Sequence, residues 1–97
     1  MDKLTFSWDP KKAQQNLKKH KVSFQEAVSV FLDENATEYF DEDHSEAEDR
    51  FLMLGISFRL RLLVVSYAVH DKARRIRLIS ARKATKNESK AYERTES

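Results

Sequence analysis

The stretch LRLLVVSYAV, residues 60–69, decides the fold. Its side chains alternate between two faces: residues 62, 64, 66 and 68 share one face, and residues 63, 65, 67 and 69 share the other. Both faces are mainly apolar, which is typical of a strand in the middle of a sheet. The sequence therefore predicts that Leu60–Val69 is a central strand.

Three further strands are predicted around this one. Arg50–Phe58 precedes it across a tight turn at Ser57–Arg59, and Arg75–Ala81 follows it across a turn at His70–Arg74. Thr37–Asp41 is a shorter strand, and the charged residues after it indicate a loop. Because tight turns join the last strands, the sheet is expected to be rich in antiparallel pairs.

The N-terminal part predicts a strand followed by a helix. Leu4–Trp8 alternates apolar and polar residues, which indicates a half-buried strand. Asp9 before a proline then gives an N-cap, so a helix is expected over Pro10–His20. Ala13 and Leu17 lie one turn apart and are predicted to face the core.

Two capping boxes predict the remaining helices. Ser23–Glu26 opens a helix that extends to about Phe31, and Thr85–Glu88 opens a last helix that extends to about Arg94. Tyr92 is the only sizeable apolar side chain of that last helix, so weak docking is expected. The predicted order is β-α-α-β-β-β-β-α, an α+β fold in which residues 1–97 form a single domain.

The composition excludes several classes of protein. The 97 residues include no cysteine, which rules out a disulfide framework and a thiolate nucleophile. The longest apolar run, Leu62–Val65, is far too short to cross a bilayer, and the N-terminus shows no apolar targeting segment. No membrane contact is therefore expected, and a cytoplasmic location is predicted.

Charge is strongly segregated along the chain. Residues 1–32 carry a net charge of +3, residues 33–49 carry −9 and residues 50–97 carry +8. Such asymmetry concerns partners more than fold, and a basic half favours a polyanion such as RNA or DNA. The alternative is that the lysines and arginines only solvate a small domain.

The residues that offer chemistry are cations together with a few acid–base groups. Neither metal-ligand spacing nor a phosphate-binding glycine loop occurs, so no metal and no cofactor is expected. RNA can be cleaved without a metal when a base takes the proton of the ribose 2′-hydroxyl, an acid protonates the leaving oxygen and cations stabilise the phosphate. Strand alternation is expected to gather several cations on one face: Arg59, Arg61, Arg75, Arg77, Arg82 and Lys83.

Other candidates have an equally simple structural interpretation. His20 offers an acid or base, or it only ends a helix whose dipole favours it. Glu48 and Arg50 form either a catalytic pair or a charged strand entrance. Tyr92 contacts RNA or packs the last helix onto the sheet.

The chain resembles the BrnT family of toxins from bacterial type II toxin–antitoxin modules. The matching segments cover nearly the whole chain in order: FSWDPKK at 6–12, NLKKH at 16–20, VSFQEA at 22–27, VF at 30–31, DHS at 43–45, EDR at 48–50, RLLVV at 61–65, IRLISARKAT at 76–85, Glu88 and Tyr92. Two positions depart from the family pattern. Lys21 and Ala47 stand where glycines are usual, so a positive φ is expected at Lys21.

The resemblance implies a RelE-like fold, translation arrest by RNA cleavage, and a BrnA-type ribbon-helix-helix antitoxin. Toxin and antitoxin would bind operator DNA together and repress their own promoter. We predict a metal-independent endoribonuclease; the alternative is a non-catalytic partner and co-repressor of a DNA-binding antitoxin. The predicted catalytic residues are His20, Glu48, Arg50, Arg61, Arg77 and Arg82, and the predicted RNA-binding residues are Arg59, Arg75, Lys83, Lys86 and Tyr92.

Overall fold

The fold is that of a computed structural model, which describes residues 4–70 and 75–96. The observed order, β-α-α-β-β-β-β-α, is the predicted one, and short 3-10 turns follow α2 and β2. The elements are β1 Thr5–Ser7, α1 Pro10–His20, α2 Phe24–Ser29, β2 Thr37–Phe40, β3 Arg50–Ile56, β4 Leu62–His70, β5 Arg75–Lys83 and α3 Lys86–Glu96. The turn predicted at His70–Arg74 falls mostly on residues 71–74, outside the described residues. None of the helices in the described part of the chain is long and apolar enough to cross a membrane.

The five strands form one sheet in the order β1-β5-β4-β3-β2, which confirms β4 as the central strand. Every neighbouring pair is antiparallel except β1 with β5. A register shift between Ser66 and Tyr67 interrupts the pairing of β4 with β5. The edges are the two short strands β1 and β2.

Helices α1 and α2 cover one face of the sheet, called here the helix face. Leu63, Val65 and Tyr67 of β4 pack there against Phe24 and Val30, and all five are buried. Aromatic rings extend this core, since Trp8 meets Phe24 edge-on at 5.8 Å between ring centroids. The main core therefore lies between β4 and β5 on one side and the two N-terminal helices on the other.

Of the two α1 residues predicted to face the core, Ala13 packs against it but Leu17 does not. Leu17 is 50% exposed, whereas Asn16 is buried. The Asn16 Nδ2 donates to the carbonyls of Val22 and Ala81, both at 2.9 Å, and its Oδ1 accepts from the Ala81 N–H at 3.0 Å. Because β1 pairs only with residues 75–77 of β5, the Asn16 amide takes the place of a strand neighbour at Ala81.

A buried ion pair joins α2 to the β3–β4 turn. Glu26 is 1% exposed; its carboxylate accepts two hydrogen bonds from Arg61, the Nε one at 2.9 Å, and one from the Ser57 hydroxyl at 2.7 Å. The capping box therefore forms only in part: the Ser23 hydroxyl accepts the Glu26 N–H, but the Glu26 side chain turns to Arg61. Arg61 also donates to the carbonyl of Lys21, whose φ of 60° confirms the expected positive value.

Helix α3 covers part of the opposite face of the sheet, called here the open face. Tyr92 is buried against Leu54 and Val64, and its hydroxyl donates to Asp33 at 2.6 Å. Near the N-terminus of α3, Glu88 forms a bidentate ion pair with Arg82 of β5, with N–O distances of 2.8 and 2.9 Å.

The capping box at Thr85 and Glu88 is reciprocal, as predicted. The Thr85 N–H donates to Glu88 and the Glu88 N–H donates to the Thr85 hydroxyl, at 2.8 and 3.2 Å. Two carboxylates, Asp33 and Glu88, thus hold α3 on the sheet.

Arg61→Ala should destabilise the fold strongly, because it leaves the Glu26 carboxylate buried without its partner. Breaking a buried pair in this way costs about 3–5 kcal/mol. Urea unfolding should show a much lower midpoint, while Arg59→Ala, the exposed neighbour, should stay within about 0.5 kcal/mol of the wild type. Equal midpoints for the two variants would contradict the role of the pair.

Glu88 should make α3 docking sensitive to acid. Hydrogen bonds from Arg82 lower the pKa of the Glu88 carboxyl from 4.5 to about 2, against the opposing effect of burial. Its contribution to the free energy of unfolding is therefore complete above pH 4.5 and is lost as the pH falls towards 2.

The measurement is the stability difference between the wild type and Glu88→Gln, by urea unfolding at several pH values. The difference should be largest near pH 6 and should shrink on acidification. Glu93→Gln, an exposed charge removed from the same helix, is the matched control. A difference that does not change with pH would argue against the assignment.

Candidate functional site

The register of the sheet gathers basic residues at one end of the open face. Arg50 of β3 and Arg77 of β5 both pair with Ala68 of β4, and His70 pairs with Arg75. Cross-strand partners share a face, so these side chains line the same surface. Helix α3 packs further along, over Leu54 and Val64, and so its core contacts leave this end of the face uncovered.

Glu48, which lies just before β3, is close to three of these residues: Arg50, His70 and Arg77. The Arg77 Nη2 donates to Glu48 Oε1, and the Arg50 Nε lies 3.7 Å from the same oxygen. The His70 Nε2 lies 4.0 Å from Glu48 Oε2 and 3.4 Å from the Arg77 Nη1. We call Glu48, Arg50, His70 and Arg77 the Glu48 cluster.

The net positive charge of the Glu48 cluster favours the binding of an anionic ligand. Burial alone would raise the pKa of the Glu48 carboxyl, but the Arg77 hydrogen bond and the charges of Arg77, Arg50 and His70 lower it overall. Glu48 is thus ionised at neutral pH and neutralises only one of two guanidinium groups. The side chains of Arg77 and His70 keep 34% and 48% of their surface exposed, so a ligand can reach them.

One polar atom of the cluster is unsatisfied. The Arg50 Nε–H is buried, and no side chain or backbone group among residues 4–70 and 75–96 accepts a hydrogen bond from it. Buried donors normally have a partner. The Arg50 side chain as a whole is 30% exposed, so other N–H groups of its guanidinium can be offered to a phosphate oxygen.

His70 is the member of the cluster that sequence reasoning missed. The sequence indicates His20 as the acid or base and places His70 only in the turn at His70–Arg74. The signal was present in the alternation of β4, which puts His70 on the face of Ala68. Recognising it required the pairing of Ala68 with Arg50 and Arg77, which spacing along one strand does not give.

The six cations predicted to gather on one face are divided between several places. Arg75, Arg77 and Arg82 lie on the open face, but Arg82 is paired with Glu88 of α3. Lys83 pairs with Leu63 and so belongs to the helix face, and Arg61 is held by Glu26.

Four other predicted residues lie away from the Glu48 cluster. His20 lines a shallow pocket with Lys12, Lys19 and Ser80 beside α1. Arg59 and Lys86 are exposed beyond the other end of the open face, in the β3–β4 turn and at the start of α3. Tyr92 is 4% exposed, which gives it the packing role that the sequence offered as its alternative. In the described ranges, no three His, Asp or Glu side chains gather as metal ligands.

Comparisons with known proteins agree with this architecture. A family model described as the ribonuclease toxin BrnT of type II toxin–antitoxin systems matches residues 8–88. A crystal structure of the Brucella abortus ribonuclease toxin BrnT has a similar fold, with a TM-score of 0.65 and 24% sequence identity over 87% of this chain and 100% of that chain. No curated protein matches the sequence.

Proposed function

We propose that this chain, which belongs to the BrnT family of ribonuclease toxins of type II toxin–antitoxin systems, is a metal-independent endoribonuclease that inhibits translation. The observation that carries the proposal is the Glu48 cluster, where one carboxylate positions two guanidinium groups beside an exposed imidazole. These groups supply what RNA cleavage requires: phosphate binding, charge stabilisation and proton transfer.

Arg77 and Arg50 would bind the scissile phosphate. Glu48 holds the Arg77 guanidinium from one side, which fixes its orientation while leaving other N–H groups for the phosphate. Arg50, whose side chain is 30% exposed, provides further guanidinium donors. Charge that develops on the phosphate oxygens would then meet donors that are already in place, which is the most effective form of electrostatic catalysis.

His70 would transfer the proton. An imidazole accepts and releases protons near neutral pH, and its Nε2 lies beside both Arg77 and Glu48. The His70 Nε2 takes the proton of the 2′-hydroxyl, and the 2′-oxygen attacks the adjacent phosphorus. The bond to the 5′-oxygen breaks, that oxygen receives through a water molecule the proton that His70 had taken, and a 2′,3′-cyclic phosphate remains. This role moves from His20, the sequence-based choice, to His70.

The remaining predicted residues divide between contact and support. Arg75, on the open face next to the cluster, is proposed to contact the RNA backbone, with Arg59 and Lys86 as more distant contacts. Lys83 belongs to the helix face and is not proposed as a contact. Arg61 and Arg82 would support activity through the fold, since Glu26 and Glu88 hold their guanidinium groups.

Membership of a type II family implies an antitoxin partner. We propose that it is a BrnA-type ribbon-helix-helix protein, that it covers the open face near Arg77, and that the two proteins repress their own operator together in the cytoplasm. DNA contact would come only through the antitoxin.

Purified protein without antitoxin should cut RNA in the presence of EDTA. The products should end in a 2′,3′-cyclic phosphate, and a substrate with hydrogen in place of the 2′-hydroxyl at the scissile position should stay intact. Mass spectrometry of the cut ends measures both. Loss of cleavage on chelation would exclude the metal-independent mechanism, and no cleavage in any buffer would favour a non-catalytic co-repressor.

Arg77→Ala should lower the cleavage rate about 10²–10³-fold, as removal of one transition-state donor typically does. The thermal midpoint should change little, because a partly exposed ion pair contributes only about 0–1 kcal/mol. Lys18→Ala, an exposed cation on α1, should keep full activity. A variant that loses stability and activity together would make Arg77 a structural residue.

A further inference from the structure

An apolar groove lies on the open face between β2 and α3. Its volume is about 430 Å³, within the range of pockets that hold small organic groups. The lining is mostly apolar, with one aromatic ring, one amide and one carboxylate: Tyr39, Leu52, Leu54, Val64, Asn87, Glu88 and Ala91. Nothing in the mechanism above uses this groove.

The groove continues directly from the Glu48 cluster. Arg50 and Leu52 are two residues apart on β3 and therefore share a face, and Leu52 pairs with Tyr39 across the β2–β3 ladder. Two residues of a strand span about 7 Å. The distance from a phosphate bound at Arg50 and Arg77 to the ring of Tyr39 would thus be about that from a phosphate to the base of an adjacent nucleotide.

Charge decides which part of an RNA enters the groove. Residues 33–49, which include β2, carry nine acidic and no basic side chains, and the Glu88 carboxylate lines the groove itself, so a phosphate is disfavoured there. The cations Arg75 and Arg77 lie on β5, across the sheet. The ribose–phosphate backbone should therefore follow β5 and β4, and only an uncharged base would extend towards β2.

We infer that the groove is a nucleobase-binding subsite for a nucleotide adjacent to the scissile phosphate, an inference that rests on the proposed function. The Tyr39 ring, with 42% of the residue exposed, offers a stacking surface that any base can use. Leu52, Leu54 and Val64 form an apolar floor for the ring. Asn87 presents both an amide donor and an amide acceptor, which suit the hydrogen-bonding edge of a base. Stacking thus gives affinity, and Asn87 gives preference among bases.

The test uses binding, so that it does not depend on cleavage. Short RNAs with fluorine in place of every 2′-hydroxyl cannot react by 2′-attack. A series in which each base in turn is replaced by an abasic residue is titrated against the wild type, Tyr39→Ala, Tyr39→Phe and Phe58→Ala. Phe58 is the matched control, since it is an exposed aromatic residue in the β3–β4 turn.

Removing one particular base should weaken binding to the wild type about 5–100-fold, the range expected when one stacked base is lost. In Tyr39→Ala, removal of that same base should change the affinity less than about twofold, while Tyr39→Phe and Phe58→Ala keep the full effect. Asn87→Ala should alter the order of preference among the four bases at that position. This variant also tests the subsite should Tyr39→Ala not fold.

Several results would overturn the inference: no binding, no base whose removal matters, or an unchanged effect in both Tyr39→Ala and Asn87→Ala. It is also wrong if these variants weaken only the antitoxin complex, which would make the groove a protein-docking surface. Base-dependent binding that is lost in the variants, without any RNA cleavage by the wild type, would support the subsite and refute the proposed nuclease activity.

Discussion

Strand β4 is apolar on both faces, and the architecture follows from the need to cover it. Helices α1 and α2 bury Leu63 and Val65 completely on one side. On the other side, α3 has one large apolar residue, Tyr92, and covers only the part around Leu54 and Val64. Beyond Val64, the residues of β4 on this face become small or polar, so they need no cover. The Glu48 cluster lies at the end of the open face that the core contacts of α3 leave uncovered.

Three arginine–carboxylate ion pairs have different roles in this protein because they differ in burial and in what surrounds them. Glu26 with Arg61 is almost fully enclosed and joins α2 to the β3–β4 turn. Glu88 with Arg82 is partly exposed and fixes the start of α3. Glu48 with Arg77 is similarly exposed but faces open surface, with His70 and a second arginine beside it. Of the three pairs, this third one adjoins open surface that also carries Arg50 and His70, and it is the one that the proposed function uses.

Local patterns predicted the elements well because they depend on neighbouring residues. The alternation of β4 and the caps at Asp9 and Thr85 each determine structure within a few positions. Long-range contacts were not predictable in this way. The Asn16 amide forms a hydrogen bond with Ala81, which lies 65 residues further along the chain. Glu26 accepts a hydrogen bond from Arg61, 35 residues further along.

A single irregularity explains why the cationic face was predicted only in part. Strict alternation along β5 places Arg77 and Lys83 on the same side. The register shift between β4 and β5 moves one residue out of step, so that Arg77 pairs with Ala68 whereas Lys83 pairs with Leu63 on the opposite face. The same shift places Arg82 on the open face, within reach of Glu88. Bulges of this kind change the direction of side chains beside functional sites. No residue type in this segment of the sequence indicates a bulge.

Part of the acidic segment, which composition alone could not interpret, acts within the protein. Asp33 accepts hydrogen bonds from Tyr92 and from the Ile56 N–H, Glu38 accepts from Tyr67, and Glu48 holds Arg77. Because these carboxylates are engaged on the β2 and β3 side, the excess positive charge remains on the β5 side. A polyanion approaching the open face therefore meets attraction at one edge and repulsion at the other. For the RNA of the proposed function, this gradient would set a direction across the sheet, and it would leave the apolar surface between the two edges to an uncharged part of the ligand.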